Sequence, residues 1–349
     1  MAYFRDNIES LAGYAPGFQP ARTDVVKLNT NENSWPPSPK VMEAIRNLPA
    51  EKLRRYPPPM ADDFRAAAAE VLGVPSGRIM AVNGGDDLLT IAVRAFCDQW
   101  RALAYPTPTY SLYPVLARIQ DCEAIEVPFG LEFRVPEGLY EADASLVIVC
   151  NPNAPTGSFV SPEELDRLAT ALRGRAVLLI DEAYADYAET NCLSLVGKHD
   201  NVIILRSMSK GYSLAGLRFG FAIACEALIE GLTKVKDSYN VDAVAIAAAT
   251  AAIRDQAYFR ENIEKIKVQR KRLTQELRAL GFEVRDSHAN FVLARCPNGD
   301  AADLHDALAE RGIYVRYFRL PHLEDKLRIT VGTEAQNDAL VGALKELLR

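Results

Sequence analysis

Hydrophobic and polar positions alternate in blocks along most of the chain. Between about residues 60 and 225, short strand-like runs recur at Met80–Asn83, Ala102–Tyr105, Leu146–Cys150, Val177–Ile180, Val202–Leu205 and Phe219–Ala224. Several are continuously apolar rather than alternating, which predicts strands covered on both faces. Amphipathic stretches separate them. Leu88, Ile91, Ala92 and Ala95 share one face of a helix over Asp86–Phe96, and Ser161-Pro162-Glu163-Glu164 opens another that runs to Leu172. This alternation predicts an α/β domain with a mostly parallel, doubly wound sheet.

The pattern changes at both ends. Residues 1–40 are rich in Pro, Asn and Gly and read as an extended arm. Asp242–Leu280 is Ala-rich and then rich in Lys, Arg and Glu, with Gly281 to stop it, so one long helix or two broken ones leave the large unit. Beyond lie a strand over Glu283–Arg295, a helix over Ala301–Arg311, strands over Ile313–Phe318 and Lys326–Val331, and a helix over Glu334–Leu348. These predict a compact α+β unit. The expected organisation is an arm over 1–25 packed with the small domain, a large domain over 26–245 and a small domain over 246–349.

Composition narrows the function. With 49% hydrophobic residues in 349, the chain can bury a large core. The net charge of −6 is spread without a basic stripe, which argues against nucleic acid as a partner. The apolar runs, such as Ala176–Ile180, are too short for a bilayer, and Met1–Asn7 leads into no signal-peptide core. The six cysteines include no Cys-x-x-Cys pair, as expected of reduced thiols in a cytoplasmic protein. The histidines at 199, 288, 305 and 322 have no ligand spacing and are expected on the surface or near turns, so no metal site is expected. No Gly-x-Ser-x-Gly occurs to suggest a hydrolase.

Ligands of open α/β sheets bind beyond the carboxyl ends of the strands, and here those ends carry unusual residues. Met80–Asn83 runs into Gly84-Gly85-Asp86-Asp87 and a helix start, which suits a phosphate, although a plain turn with Asp86 as N-cap would look the same. Ala176–Ile180 ends in Asp181, whose buried charge needs either a structural arginine or a ligand cation. Val202–Leu205 leads into Arg206-Ser207-Met208-Ser209-Lys210-Gly211, with Arg218 further on. Lys210 reads as a surface lysine or as a desolvated Schiff-base nucleophile, with Ser207, Ser209 and Arg218 as anion donors. A lysine for an aldehyde, a carboxylate for a pyridinium nitrogen and a cup for a phosphate are together what pyridoxal phosphate requires.

Three segments carry a resemblance. Ser-Met-Ser-Lys-Gly-Tyr-Ser-Leu-Ala-Gly-Leu-Arg (207–218), Asn-Pro-Asn-Ala-Pro-Thr-Gly (151–157) and Asp-Glu-Ala-Tyr (181–184) are similar to signatures of the fold-type I, class II pyridoxal-phosphate aminotransferases. Within them the chain most resembles the histidinol-phosphate aminotransferases, through Gly13–Gly17, Lys27–Asn33, Arg55-Tyr56-Pro57, Ala289–Leu293 and Leu327–Thr333.

The resemblance implies the fold-type I architecture, pyridoxal 5'-phosphate as cofactor and a homodimer with shared active sites. It implies Lys210 as the covalent anchor and proton shuttle, Asp181 at the pyridine nitrogen, Tyr184 at the ring hydroxyl and Tyr110 on the ring face. Gly85, Asp86, Ser207, Ser209 and Arg218 would hold the phosphate, with Tyr56 reaching the neighbouring subunit's cofactor. Arg328 would clamp the substrate carboxylate, and Tyr14, Arg316 and the arm residue Asn33 are further candidate substrate contacts. Ala154 departs from the family's usual Asn, leaving Asn153 as the expected donor to the ring hydroxyl. Asp87 stands for the common Glu, Pro57-Pro58-Pro59 lacks an acidic residue, and Ser34-Trp35 replaces a Pro–aromatic pair. The implied reaction converts histidinol phosphate and 2-oxoglutarate to imidazole-acetol phosphate and glutamate. A threonine-phosphate decarboxylase-like enzyme and an aromatic aminotransferase share the cofactor apparatus. A cofactor-binding DNA regulator would require a basic helical module that the arm lacks.

Overall fold

A computed structural model describes residues 3–22 and 24–349. The strands are β1 (Val26–Lys27), β2 (Ile79–Val82), β3 (Leu103–Thr107), β4 (Ala124–Pro128), β5 (Leu146–Cys150), β6 (Val177–Asp181), β7 (Val202–Ser207), β8 (Gly220–Ala224), β9 (Glu283–Val284), β10 (Phe291–Arg295), β11 (Ile313–Tyr314), β12 (Arg316–Tyr317) and β13 (Lys326–Thr330). Seven form the central sheet in the order β2-β8-β7-β6-β5-β3-β4. Six point the same way, while β8 runs against both its neighbours, β2 and β7.

Successive residues of a strand face opposite sides of the sheet, and here both sides are apolar. Val147 and Val149 enter one core while Leu146, Ile148 and Cys150 enter the other; Val202 and Ile204 are likewise opposed to Ile203 and Leu205. The sheet is therefore doubly covered, as the continuous runs predict. β4 escapes that pattern. It is the edge strand, only Ile125 and Val127 pack inward, and Pro128 is tolerated there because an edge residue needs no ladder donor.

The stretch 242–280 forms two helices, Ala243–Arg254 and Gln256–Ala279, broken at Asp255. The Asp255 carboxylate accepts from Ser38 Oγ at 2.5 Å and Lys40 Nζ at 3.0 Å, which ties the break to the chain that leaves the arm. The small unit is a four-stranded antiparallel sheet, β12-β13-β10-β9, packed on helices Ala301–Glu310, Glu334–Leu347 and part of Gln256–Ala279 around a third apolar core.

Two expected strands divide. The segment 285–290 leaves the sheet because the His288 N–H donates to the large unit's Gly157 oxygen at 2.8 Å. The segment 313–318 splits because its first half pairs with β1 and its second with β13. Val26–Lys27, expected at the start of the large domain, thus pairs with the small unit, and Leu28 lies in the small unit's core. His199, expected on the surface or near a turn, follows the turn at Lys198 and is buried between the Asp166 carboxylate and Arg173 Nη2. No helix among the described residues is long and apolar enough to cross a membrane.

Phe64, on helix Asp62–Leu72, is fully buried with ring-centroid distances of 4.5 Å to Phe219 and 5.3 Å to Phe221. Phe64→Ala should lower the free energy of urea unfolding by about 3–5 kcal/mol. A loss below about 1 kcal/mol would mean that this helix is not part of the cooperative core.

Candidate active site

Register brings the strand ends together. Cys150 is paired with Asp181, and Asp181 with Leu205, so the carboxyl ends of β5, β6 and β7 stand in a row. They open into a cavity of about 1740 Å³ between the large and small units. Lys210, Asp181, Tyr184, Tyr110, Gly85, Asp86, Ser207, Ser209 and Arg218 all line it, joined by Tyr14, Arg316 and Arg328 from the arm and the small unit.

At one end is an anion cup. Gly84, at φ 85°, turns the chain from β2 into helix Gly85–Phe96, whose first N–H groups have no intrahelical acceptor. A Cβ on Gly84 would lie 2.6 Å from Arg218 Nη2, which could shift, but the positive φ itself favours glycine there. Gly84, not Asp86, is the N-cap. Arg218 Nη1 reaches Ser209 Oγ at 3.4 Å, and Ser207 Oγ accepts from the Ser209 N–H at 3.2 Å. Backbone donors, hydroxyls and a guanidinium thus converge as a phosphate needs.

Asp181 and Glu182 are neighbours with opposite solutions to burial. Glu182 pairs with Arg206 Nε at 2.7 Å. Asp181, 4% exposed, accepts only from the Tyr113 hydroxyl at 2.8 Å and the Ala183 N–H at 3.1 Å, with no ion pair among the described residues. Burial pushes its carboxyl up to about 6, and the repulsion of Asp86 and Glu182 adds to this, against the pull of those two donors. A cation arriving from the cavity would relieve this.

Lys210 is the amine opposite. Burial first, then the charges of Arg328 and Arg218, pull it down to about 8, against Glu32 and Asp86. Its Nζ donates to the Thr30 oxygen at 3.3 Å and lies 5.7 Å from the centre of the Tyr184 ring. A substantial unprotonated fraction near neutral pH makes it a competent nucleophile. Tyr184 is buried, which pushes its phenol up to about 12, and its oxygen accepts from Asn31 Nδ2 at 2.9 Å. Tyr110 forms an aromatic wall with Tyr113 and Tyr14 at centroid distances of 5.7 and 5.8 Å and donates to Asp86 Oδ1 at 3.2 Å.

Arg328 and Arg316 stand directly opposite on β13 and β12. Arg328 Nη2 donates to the Asn29 oxygen at 3.0 Å, its Nε is buried without a partner, and burial holds its guanidinium below its usual range. Arg316 Nη2 reaches the Ala15 oxygen at 3.4 Å. Neither has a carboxylate partner among the described residues.

Three expected residues are not at the cavity. Asn153 spends its amide inside its loop, donating to the Pro108 oxygen at 2.9 Å and Thr156 Oγ1 at 2.8 Å while accepting from Thr109 at 2.7 Å. Ala154 faces the cavity in its stead. Asn33 also points away, its Nδ2 donating to the Lys210 and Gly211 oxygens at 3.1 and 3.3 Å, so it props the lysine from behind. Tyr56 lies outside this cavity, 79% exposed and stacked on Tyr239 at 4.4 Å. Sequence reasoning missed Tyr113 and the inward turn of Asn29, Thr30 and Asn31. Asparagine's tolerance of the left-handed region is the one local hint for Asn31, at φ 56°.

A depressed amine facing an anion cup suits capture of a phosphorylated aldehyde, and the uncompensated Asp181 supplies what a pyridinium nitrogen needs; the residues present fit pyridoxal phosphate. The family model described as aminotransferase class I and II matches residues 23–344, and the chain belongs to that family. It is a pyridoxal-phosphate-dependent transaminase. Histidinol-phosphate aminotransferase 1 of Trichormus variabilis is 49% identical over 99% of both chains, and the histidinol-phosphate aminotransferase of Rhodopirellula baltica is 45% identical over 96% of this chain and 93% of its own. Among solved structures, the histidinol-phosphate aminotransferase of Sinorhizobium meliloti in complex with pyridoxal-5'-phosphate superposes with a TM-score of 0.90 at 27% identity, covering 100% of this chain and 98% of that one. The L-threonine-O-3-phosphate decarboxylase of Porphyromonas gingivalis gives 0.80 at 25%, over 93% and 99%.

In the cofactor-free protein, Asp181 holds its proton to about 6, above its value of 3.8 when unfolded, so its contribution to stability declines as pH rises between those values. Asp181→Asn removes that decline. Between about pH 4 and about pH 7, the unfolding free energy of the variant should gain about 2 kcal/mol relative to the parent. Parallel denaturation curves across that range would contradict the raised carboxyl. Asp186, also raised to about 6, is common to both proteins and cancels.

Proposed function

We propose that the chain transfers the amino group of histidinol phosphate to 2-oxoglutarate, giving imidazole-acetol phosphate and glutamate, as a step of histidine biosynthesis. The observation that carries this reading is the Arg328–Arg316 pair. Two guanidinium groups opposed across a ladder repel unless an anion lies between them, and the phosphate cup is already occupied in function by the cofactor. Full-length likeness to proteins named histidinol-phosphate aminotransferase supports the same substrate.

When bound, pyridoxal phosphate supplies an aldehyde for an amine and an electron-poor ring that accepts the pair left when a substrate Cα loses its proton. Lys210 would hold the cofactor's aldehyde covalently, and its amine, once freed, would carry the proton taken from the substrate Cα. Asp181 would keep a proton on the ring nitrogen, Tyr184 would donate to the ring hydroxyl oxygen, and Tyr110 would pack against the ring. Gly85, Asp86, Ser207, Ser209 and Arg218 hold the phosphate. Arg328 and Arg316 share the acidic group carried next to the reacting carbon, the phosphate of histidinol phosphate or the α-carboxylate of 2-oxoglutarate, with Tyr14 beside them. The exposed Tyr56 would reach the cofactor phosphate of a second copy, which makes the working enzyme a homodimer, and its place in biosynthesis puts it in the cytoplasm.

Loss of the bound cofactor's visible absorbance on adding an amino donor alone reads the first half-reaction. Histidinol phosphate should exceed phenylalanine by about 100-fold or more in kcat/KM. Equal rates would make the chain an aromatic aminotransferase, and carbon dioxide release from threonine phosphate would make it a decarboxylase. Arg328→Ala should cost about 100-fold with either amino donor or 2-oxoglutarate. Lys210→Ala should abolish the visible absorbance of covalently held cofactor in a protein that still unfolds cooperatively; persistence of that absorbance overturns the lysine assignment.

A further inference from the structure

Asn31 is buried to 1% exposure and held in the left-handed region at φ 56°. Its N–H donates to Thr330 Oγ1 at 3.0 Å, and its carbonyl oxygen accepts from Asn290 Nδ2 at 2.9 Å. Its Oδ1 accepts from the Thr330 hydroxyl at 3.1 Å, and its Nδ2 donates to the Tyr184 hydroxyl at 2.9 Å. The arm, the small unit and the large unit all meet at this one side chain.

The network has a single consistent direction. Because Thr330 Oγ1 accepts the Asn31 N–H, the threonine proton is directed at Asn31 Oδ1. That fixes the amide with its NH₂ toward Tyr184. The Tyr184 oxygen then accepts from Asn31, and its own proton is left for a partner on the cavity side. No other hydrogen-bond partner of that oxygen occurs among the described residues. The charged and titratable groups around Tyr184 are Arg328 on β13, Lys210 over its ring, Asp181 on β6, Cys150 on β5, Tyr110 and Tyr187. The remaining contact is Phe291, edge-on at 5.1 Å.

We propose that Asn31 is a positioning residue that sets the proton direction of Tyr184, aiming the phenol as a donor at the ring hydroxyl of bound pyridoxal phosphate. The inference rests on the role given to Tyr184 under the proposed function. A phenol that already accepts a hydrogen bond is also a stronger donor. The arm thereby acts on the cofactor through Tyr184 while also holding Arg328 through the Asn29 oxygen.

The test is a pH titration of the visible absorbance of substrate-free holoenzyme, with thermal unfolding as a check on folding. Tyr184→Phe removes a donor to an anionic oxygen and should raise the midpoint by about one pH unit. Asn31→Gly tolerates the same φ, adds no charge and deletes the amide. Thr330→Val deletes the hydroxyl that orients it. Both should raise the midpoint in the same direction by about half a unit, roughly threefold in the proton equilibrium. If Tyr184→Phe moves the midpoint while Asn31→Gly and Thr330→Val stay at the parent value, Asn31 is an arm anchor only and the inference falls, with Tyr184's role intact. If Tyr184→Phe leaves it unmoved, the Tyr184 role fails and takes the inference with it. Should Asn31→Gly not fold, Thr330→Val decides alone.

Discussion

Asp181 is held in an apolar setting without a cation of its own, and the site is organised around that deficit. A carboxylate at the end of an apolar strand is costly to bury, yet among the described residues Tyr113 and one backbone N–H are the only hydrogen-bond donors to it. Glu182, one residue on, points to the other side and is neutralised by Arg206. The protein can therefore satisfy a buried carboxylate here and leaves the cavity-facing one for a ligand. Opposite it, Lys210 pays a complementary cost, since the same low-dielectric cavity disfavours its charged form. An acid that resists losing its proton and an amine that readily loses one both suit a cofactor that brings a pyridinium nitrogen and an aldehyde.

The other constraint is that no single unit of the chain makes the site. The large unit provides Lys210, Asp181 and the anion cup. The small sheet provides Arg328 and Arg316. Residues 27–33 join them: Asn29 accepts from Arg328, Thr30 from Lys210, and Asn31 donates to Tyr184. Three successive residues thus hold the arginine proposed for the substrate anion, the proposed nucleophile and the tyrosine proposed for the ring hydroxyl. Pairing of β1 with β11 sets where that segment runs.

Much of the fold was legible because burial on both faces leaves a local trace. Runs such as Leu146–Cys150 are apolar at every position, and that needs no knowledge of the partner strands. β4 left no such trace, since an edge strand packs on one side only. The divided strands at 283–295 and 313–318 were equally hidden, because a strand changes partners without changing its propensity. At the site, residues fixed by a strand end or a helix start fell where expected: Asp181, Ser207, Lys210 and Gly85 all line the cavity. Those on irregular backbone did not, as Asn33 and Asn153 show.

The sequence by itself determined the doubly wound architecture, the class of chemistry and most of the residues that line the cavity, because strand periodicity places a residue after a buried run at the ligand-binding edge. Only the tertiary structure decided which of several adjacent loop residues face the cavity: Asn31 rather than Asn33, and Ala154 rather than Asn153. The physical reason is that side-chain direction in a loop depends on φ and ψ at each residue and on partners distant in sequence, such as Thr330 for Asn31 and Arg206 for Glu182. Local pattern carries no record of either.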